Sequence, residues 1–295
     1  MTDIGAALIT GASAGLGAEF ARQLARKGLD LVLVARRIDK LCEVKRRIES
    51  EHPNISITLI SADLSDPTAP ERIAMQVAEA DIQLYYLVNN AGASGPRLLQ
   101  DSDWQAHQAY LTLMMTSITE LCHRLMPAMI AAGRGRVINV ASVAGRIASG
   151  GDSHYGPSKA YVIALSEALS LTVKGHGVNV SALCPGFTHT DFHATAGMDD
   201  IKQTTPSWLW YGAEEVVREG IDGVERGKAI VVSGRLYRWL DPLMQSVWTR
   251  WMFKGRDIPE SSQDQERPAN FRRQRSPSRL TQNRESVPYA ASKEC

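Results

Sequence analysis

Between residue 6 and about residue 234, short apolar runs rich in β-branched residues alternate with longer stretches whose apolar positions recur at helical spacing. Such alternation predicts βαβ units around a parallel sheet. The pattern places strands at 6–10, 30–35, 56–61, 84–89, 135–141, 179–184 and 229–233. Several are apolar without interruption, as in Leu31-Val32-Leu33-Val34, which suits strands covered on both faces. Helices are predicted over 18–27 and 160–174, each followed by a glycine, Gly28 or Gly175, suited to the position just past a helix end.

The pattern then changes twice. Residues 235–258 carry Trp239, Trp248, Trp251 and Phe253 among Arg238, Arg250, Lys254 and Arg256, which predicts an amphipathic helical extension with an aromatic face. Three placements are open for 235–256: peripheral contact with a bilayer surface, packing on another subunit, or packing on the chain's own core. From 259 to 295 the chain is rich in Ser, Gln, Arg, Asn and Pro and poor in large apolar residues. That leaves too little burial to offset ordering entropy, and the expectation is a disordered tail with solvated arginines such as Arg272, Arg273 and Arg275.

Composition narrows the class. With 295 residues, 44% hydrophobic and 22% charged, the chain can bury a full α/β core, and 1–234 reads as one large domain. A net charge of +1 gives no electrostatic reason to expect nucleic acid as a partner, and a small molecule fits better. The cysteines Cys42, Cys122, Cys184 and Cys295 form no CxxC pair or metal-ligand spacing, so reduced thiols and no metal are expected. Met1 runs into Ile4-Gly5-Ala6-Ala7-Leu8-Ile9 without a basic leader or a membrane-spanning run, and a cytoplasmic location is expected.

Chemistry enters at Thr10-Gly11-Ala12-Ser13-Ala14-Gly15-Leu16-Gly17, between the first predicted strand and a predicted helix. Gly11 permits a tight turn, Gly15 lets backbone approach phosphate, Gly17 allows close helix–sheet packing, and the helix N-terminus offers free N–H groups and positive dipole. A dinucleotide suits that context, although a structural turn before a buried helix has similar glycines. The next strand ends Ala35-Arg36-Arg37, where an NAD-selective site more often has an acid for the ribose hydroxyls. A guanidinium binds a 2′-phosphate through paired hydrogen bonds, so Arg36 favours NADP over NAD, whereas Arg37 also reads as a solvated surface residue. Asp63, beside Leu64, is placed to accept from an adenine amino group or, equally, to cap local backbone.

Tyr155-Gly156-Pro157-Ser158-Lys159 puts a phenol and an amine on one helical face. An ammonium about 5 Å from the phenol oxygen favours phenolate by roughly 3 kcal/mol, or about two pKa units below a reference near 10. Ser142, at the end of Val137-Ile138-Asn139-Val140-Ala141, supplies a hydroxyl able to orient a carbonyl.

With Asn89-Asn90-Ala91-Gly92 and Pro185-Gly186 in the same order, residues 4–234 resemble the short-chain dehydrogenase/reductase family. The resemblance implies a Rossmann-type, doubly wound seven-stranded parallel sheet, assembly as homodimers or homotetramers, and NAD(P) across the strands' C-terminal edge. It implies Tyr155 as general acid or base, Lys159 on the nicotinamide ribose, and Ser142 on the reacting carbonyl or alcohol. It also implies cofactor contacts from Gly11, Ser13, Gly15, Leu16, Gly17, Arg36, Asp63, Leu64, Asn90, Ala91, Gly92, Pro185, Gly186, Thr188 and Thr190. One departure stands out: Met114 occupies the place where many members have an asparagine supporting a proton relay. A thioether cannot hydrogen-bond as an amide does, so the alternative is a catalytically weak dinucleotide-binding regulator or scaffold. The segment 192–214, with Trp208, Trp210 and Tyr211, fits a lid over an apolar or acyl-like substrate or a dimer contact; His154 and His189 are given no role.

Overall fold

The computed structural model describes residues 5–149, 154–189, 210–249 and 252. The chain divides into two units, Met1–Asp257 and Ile258–Cys295. The second unit, and with it the expected tail, lies outside the described residues, as do Thr190 and the lid candidates 192–209.

The elements in chain order are β1 (Ala6–Thr10), α1 (Gly15–Arg26), β2 (Asp30–Ala35), α2 (Ile38–Glu51), β3 (Ile57–Ser61), α3 (Ala69–Glu79) and β4 (Leu84–Asn89). Next come α4 (Trp104–Leu111), a π-helical turn (Thr112–Thr116), α5 (Ser117–Ala131), β5 (Gly135–Val140), a 3-10 turn (Val143–Arg146), α6 (Tyr155–Thr172) and β6 (Val178–Cys184). The short pair β7 (Thr188–His189) and β8 (Tyr211–Gly212) precedes α7 (Ala213–Glu225), β9 (Ile230–Val232) and α8 (Arg235–Gln245).

Seven strands form one parallel sheet in the order β3-β2-β1-β4-β5-β6-β9. The order reverses between β1 and β4, which opens a crevice at their carboxyl ends where such sheets bind ligands. Strand periodicity divides the core. Ile9, Leu31 and Leu33 pack with Phe20 and Leu24 of α1 and Val217 and Ile221 of α7. Leu8, Val32 and Val34 pack on the other face with Ile73 of α3 and Leu121 and Leu125 of α5.

The predicted strands stand within a residue or so at each end, and α6 begins at Tyr155, where the Tyr155–Lys159 spacing puts a helix. α1 starts at Gly15, earlier than the predicted 18, because its start carries no side-chain cap for the sequence to display. Gly28 follows the C-cap Lys27 directly at φ +86°, whereas Gly175, at φ +91°, lies beyond the C-cap Val173.

The aromatic extension begins as α8, and the placement against the chain's own body is partly realised: Tyr237 and Met244 are buried. Arg146 Nε and Nη2 donate to both carboxylate oxygens of Asp241 at 2.7 and 2.6 Å, tying α8 to the 3-10 turn. Trp239, Val247 and Trp248 remain exposed. Cys122 and Cys184 are buried free thiols. Among the described residues no helix is long and apolar enough to cross a membrane.

Candidate functional site

The glycine turn lies at the sheet's reversal point, between β1 and α1. Gly11 and Gly15 take positive φ, +66° and +54°, a region that costs a side chain strain. A Cβ on Gly17 would overlap the Gly11 carbonyl, so only glycine lets the helix start so close to the strand. The first turn of α1 has no side-chain cap and no acidic residue, leaving its N–H groups and dipole suited to an anion. A pyrophosphate therefore fits the residues present.

Thr10, absent from the expected site, organises this corner. Its Oγ1 accepts from the backbone N–H groups of Asn90 at 2.9 Å and Ala91 at 3.0 Å. Asn90 returns the contact, its Nδ2 donating to the carbonyls of Thr10 at 2.9 Å and Gly11 at 3.3 Å. The Asn90 side chain thus ties its own loop to the glycine turn.

At the far end of the crevice, the Arg36 side chain is 72% exposed, and its Nη1 lies 3.9 Å from Asp63 Oδ2. Asp63 Oδ1 accepts from Ser65 N–H at 3.0 Å and Ser65 Oγ at 2.8 Å. The local-capping reading of Asp63 is therefore realised for one oxygen, while the other faces Arg36. Leu64 is buried in the core, so its side chain is turned away from a ligand.

The catalytic candidates gather at the carboxyl ends of β5 and β6. Ser142 follows β5, and its Oγ accepts from Ala144 N–H at 3.1 Å, starting the 3-10 turn. A Cβ on Gly145 would stand 2.6 Å from the Lys159 backbone carbon. This glycine therefore lets the turn rest directly on α6, setting Ser142 against the helix that bears Tyr155 and Lys159. Lys159 is buried, and its Nζ donates to the Val140 carbonyl at 2.8 Å and lies 5.7 Å from the Tyr155 ring centroid. Burial pulls the amine down to about 8, against a smaller opposing influence from Cys184.

A buried polar chain holds α6 to the sheet. Asn89 Nδ2 donates to Asn139 Oδ1 at 2.8 Å, Asn139 Nδ2 donates to Ser166 Oγ at 2.9 Å, and Ser166 Oγ donates to the Val162 carbonyl at 2.7 Å. Beyond β6, Thr188 Oγ1 donates to the Gly186 carbonyl at 3.0 Å. A Cβ on Gly186 would overlap the Tyr237 ring, so the aromatic extension covers the Pro185-Gly186 loop. Its apolar spacing was visible in the sequence; its destination was not. Phe187 and His189 both stack on Trp210, at 5.3 and 5.1 Å.

Met114 lies in the π-helical turn, fully buried. From the Cβ position on Gly92, its Sδ is 3.4 Å away and Lys159 Nζ 3.8 Å. The thioether therefore shares one small space with the lysine amine and the NNAG loop.

A parallel sheet with a glycine turn at its reversal point, and a buried lysine beside a tyrosine, defines a nucleotide-dependent oxidoreductase. The sequence pattern of the short chain dehydrogenase family matches residues 5–200, and the chain belongs to that family. It is 32% identical over 223 residues to sulfoacetaldehyde reductase of Chromohalobacter salexigens, covering 75% of this chain and 85% of that one. It is 30% identical over 220 residues to a very-long-chain 3-oxoacyl-CoA reductase-like protein of Arabidopsis thaliana, covering 73% and 70%. A short-chain dehydrogenase from Sphingobium yanoikuyae, solved in complex with NADPH, superposes with a TM-score of 0.72 at 31% identity, covering 88% and 99%. The protein is an oxidoreductase acting at a carbonyl or alcohol carbon.

Proposed function

We propose that the protein interconverts a carbonyl and a secondary alcohol on a moderately hydrophobic, 3-oxoacyl-like substrate, with NADP and with Tyr155 as general acid/base. The observation that carries this reading is the buried Lys159 amine 5.7 Å from the Tyr155 ring, held where the Gly145 turn also brings Ser142. In reduction, Tyr155 gives its phenolic proton to the substrate oxygen; in oxidation, the phenolate takes it back. Ser142 Oγ donates a hydrogen bond to that oxygen, and the Lys159 ammonium stabilises the phenolate. The nicotinamide cofactor, when bound, supplies or accepts hydride. Its pyrophosphate belongs at Gly11–Gly17, its 2′-phosphate at Arg36, and its nicotinamide end near Lys159, Pro185, Gly186, Thr188 and Thr190. Arg36 supports NADP because its side chain is exposed and its nearest acid is 3.9 Å away, leaving the guanidinium to close on a phosphate.

The aromatic stack of Phe187, His189 and Trp210 supports an apolar substrate. Assembly as a dimer or tetramer, and bilayer contact through 235–256 with Trp239 and Trp248 outward, belong to the same proposal; light scattering and vesicle co-sedimentation read them. The test of function is a panel of ketones and 3-oxoacyl esters assayed with NADPH and NADH, in wild type and in Tyr155→Phe. Turnover that vanishes in the variant while cofactor binding persists supports the reading. A variant as active as an active wild type removes Tyr155 from the chemistry, whereas a wild type that binds the dinucleotide and turns over nothing in the panel supports the scaffold reading to which Met114 points.

A further inference from the structure

Two histidines that the chemistry above does not use form a buried pair beside Tyr155. His107 of α4 and His154, the residue preceding Tyr155, are 2% and 9% exposed. His107 Nδ1 lies 2.7 Å from His154 Nε2, with ring centroids 4.9 Å apart. On its other nitrogen, His107 Nε2 lies 2.9 Å from the backbone oxygen of Asp101. A carbonyl can only accept, so His107 carries its proton on Nε2. In the neutral ring Nδ1 is then a lone pair, and His154 Nε2 donates to it. Trp104 stacks on His107 at 5.9 Å, and the Tyr110 ring lies 5.5 Å from His154. His154 is the N-cap of α6, without a side-chain cap bond, and its carbonyl accepts from Ser158 N–H at 2.9 Å.

We propose that the His107–His154 pair is a positioning device for Tyr155, fixing the first turn of α6 to α4 and holding at most one added proton. The proposal rests on the reading of Tyr155 as acid/base. With one proton added, one ring donates to the other and the bond becomes charge-assisted. A second proton would set two N–H donors and two cations against each other at the 2.7 Å contact, and the pair would part. Among the described residues, the titratable and charged groups around this junction are Arg97, Asp101 and Asp103 before α4, Tyr110 on α4, and Tyr155 and Lys159 on α6. The Asp101 carboxylate accepts from Arg97 N–H at 2.7 Å and that of Asp103 from Gln105 N–H at 3.0 Å. Both are engaged with backbone.

The first test is long-range proton–nitrogen spectroscopy of the full chain labelled with 15N-histidine, assigned with His107→Phe and His154→Phe. The expected result is Nε2 protonated on both rings and Nδ1 of His107 unprotonated, with one proton taken up by the pair on acidification before the contact opens. Two rings that titrate independently would overturn the proposal.

The second test is kinetic, using the ketone turned over fastest in the panel. His107→Phe keeps the ring but loses the bond, and kcat is expected to fall about tenfold or more with the NADPH KM within about twofold. His107→Asn places an amide oxygen where Nδ1 was; it is expected to restore kcat to within about threefold and to flatten the acid limb of the pH profile. An unchanged kcat and pH profile in His107→Phe overturns the proposal. Should that variant not fold, a wild-type acid limb in His107→Asn does so. Tyr155→Phe separates the two readings. An inactive Tyr155→Phe beside a wild-type His107→Phe removes only the positioning role. An active Tyr155→Phe removes the acid/base reading on which that role depends.

Discussion

The two ends of the crevice carry positive charge in opposite ways. Arg36 stands at the rim, its side chain 72% exposed and loosely opposed to Asp63. Lys159 is buried, committed to the Val140 carbonyl and pulled down to about 8 by burial. A charge left in water costs the fold little and can be matched to a ligand's phosphate, which suits selectivity. A charge held out of water costs stability and acts strongly on its neighbours, which suits a group that must shift a phenol's proton. On the proposed function, the difference teaches where each role would be placed: selectivity at the surface, chemistry where the sheet, the 3-10 turn and α6 close on one another.

Substitutions can break that contrast, beginning with the largest effect. Lys159→Met should lower turnover about 100-fold or more while raising the thermal midpoint by a few degrees near neutral pH, where about 1 kcal/mol moves a domain of this size by roughly 2–4 °C. The sign follows from the lowered pKa. Below about 8 the folded protein bears the cost of a buried ammonium that the unfolded chain does not, and by the ordinary 10.5 that cost has vanished. Differential scanning fluorimetry across pH 6–11 should therefore show the variant's advantage shrinking as pH rises, by this linkage; an advantage that grows with pH would contradict it.

Gly145→Ala pushes a methyl against the Lys159 backbone and should cost about 1–3 kcal/mol together with a fall in kcat, measured by urea unfolding and steady-state kinetics. Arg36→Asp should weaken NADPH about 10- to 100-fold relative to NADH with no change in thermal midpoint; equal losses for both cofactors would remove the phosphate role. Asp241→Asn is the mildest, at about 1 kcal/mol, read as earlier proteolysis within α8.

Much of this architecture is legible in the sequence because it depends on backbone patterns. Leu31-Val32-Leu33-Val34 announces a strand covered on both faces, and the glycine turn announces where a helix begins. Side chains that act across long separations are harder to read. Nothing local says that Asn90 reaches back to the carbonyls of Thr10 and Gly11, or that Leu64 turns into the core. Met114 was singled out, but no window of residues displays the π-helical turn around it, which joins α4 to α5 end to end. Tyr237 lay in a segment that read as an appendage, and only the tertiary structure sets it over Gly186. The His107–His154 contact joins positions whose sequence environments give no hint of one another.

The central claim is that Tyr155 moves the proton, and it is tested most directly by measuring kcat/KM and NADPH binding on the same preparation of Tyr155→Phe. The account predicts turnover lower by about 100-fold or more, as for loss of a general acid, with NADPH affinity within about twofold of wild type. Turnover retained at the wild-type rate, with cofactor bound as before, would contradict it.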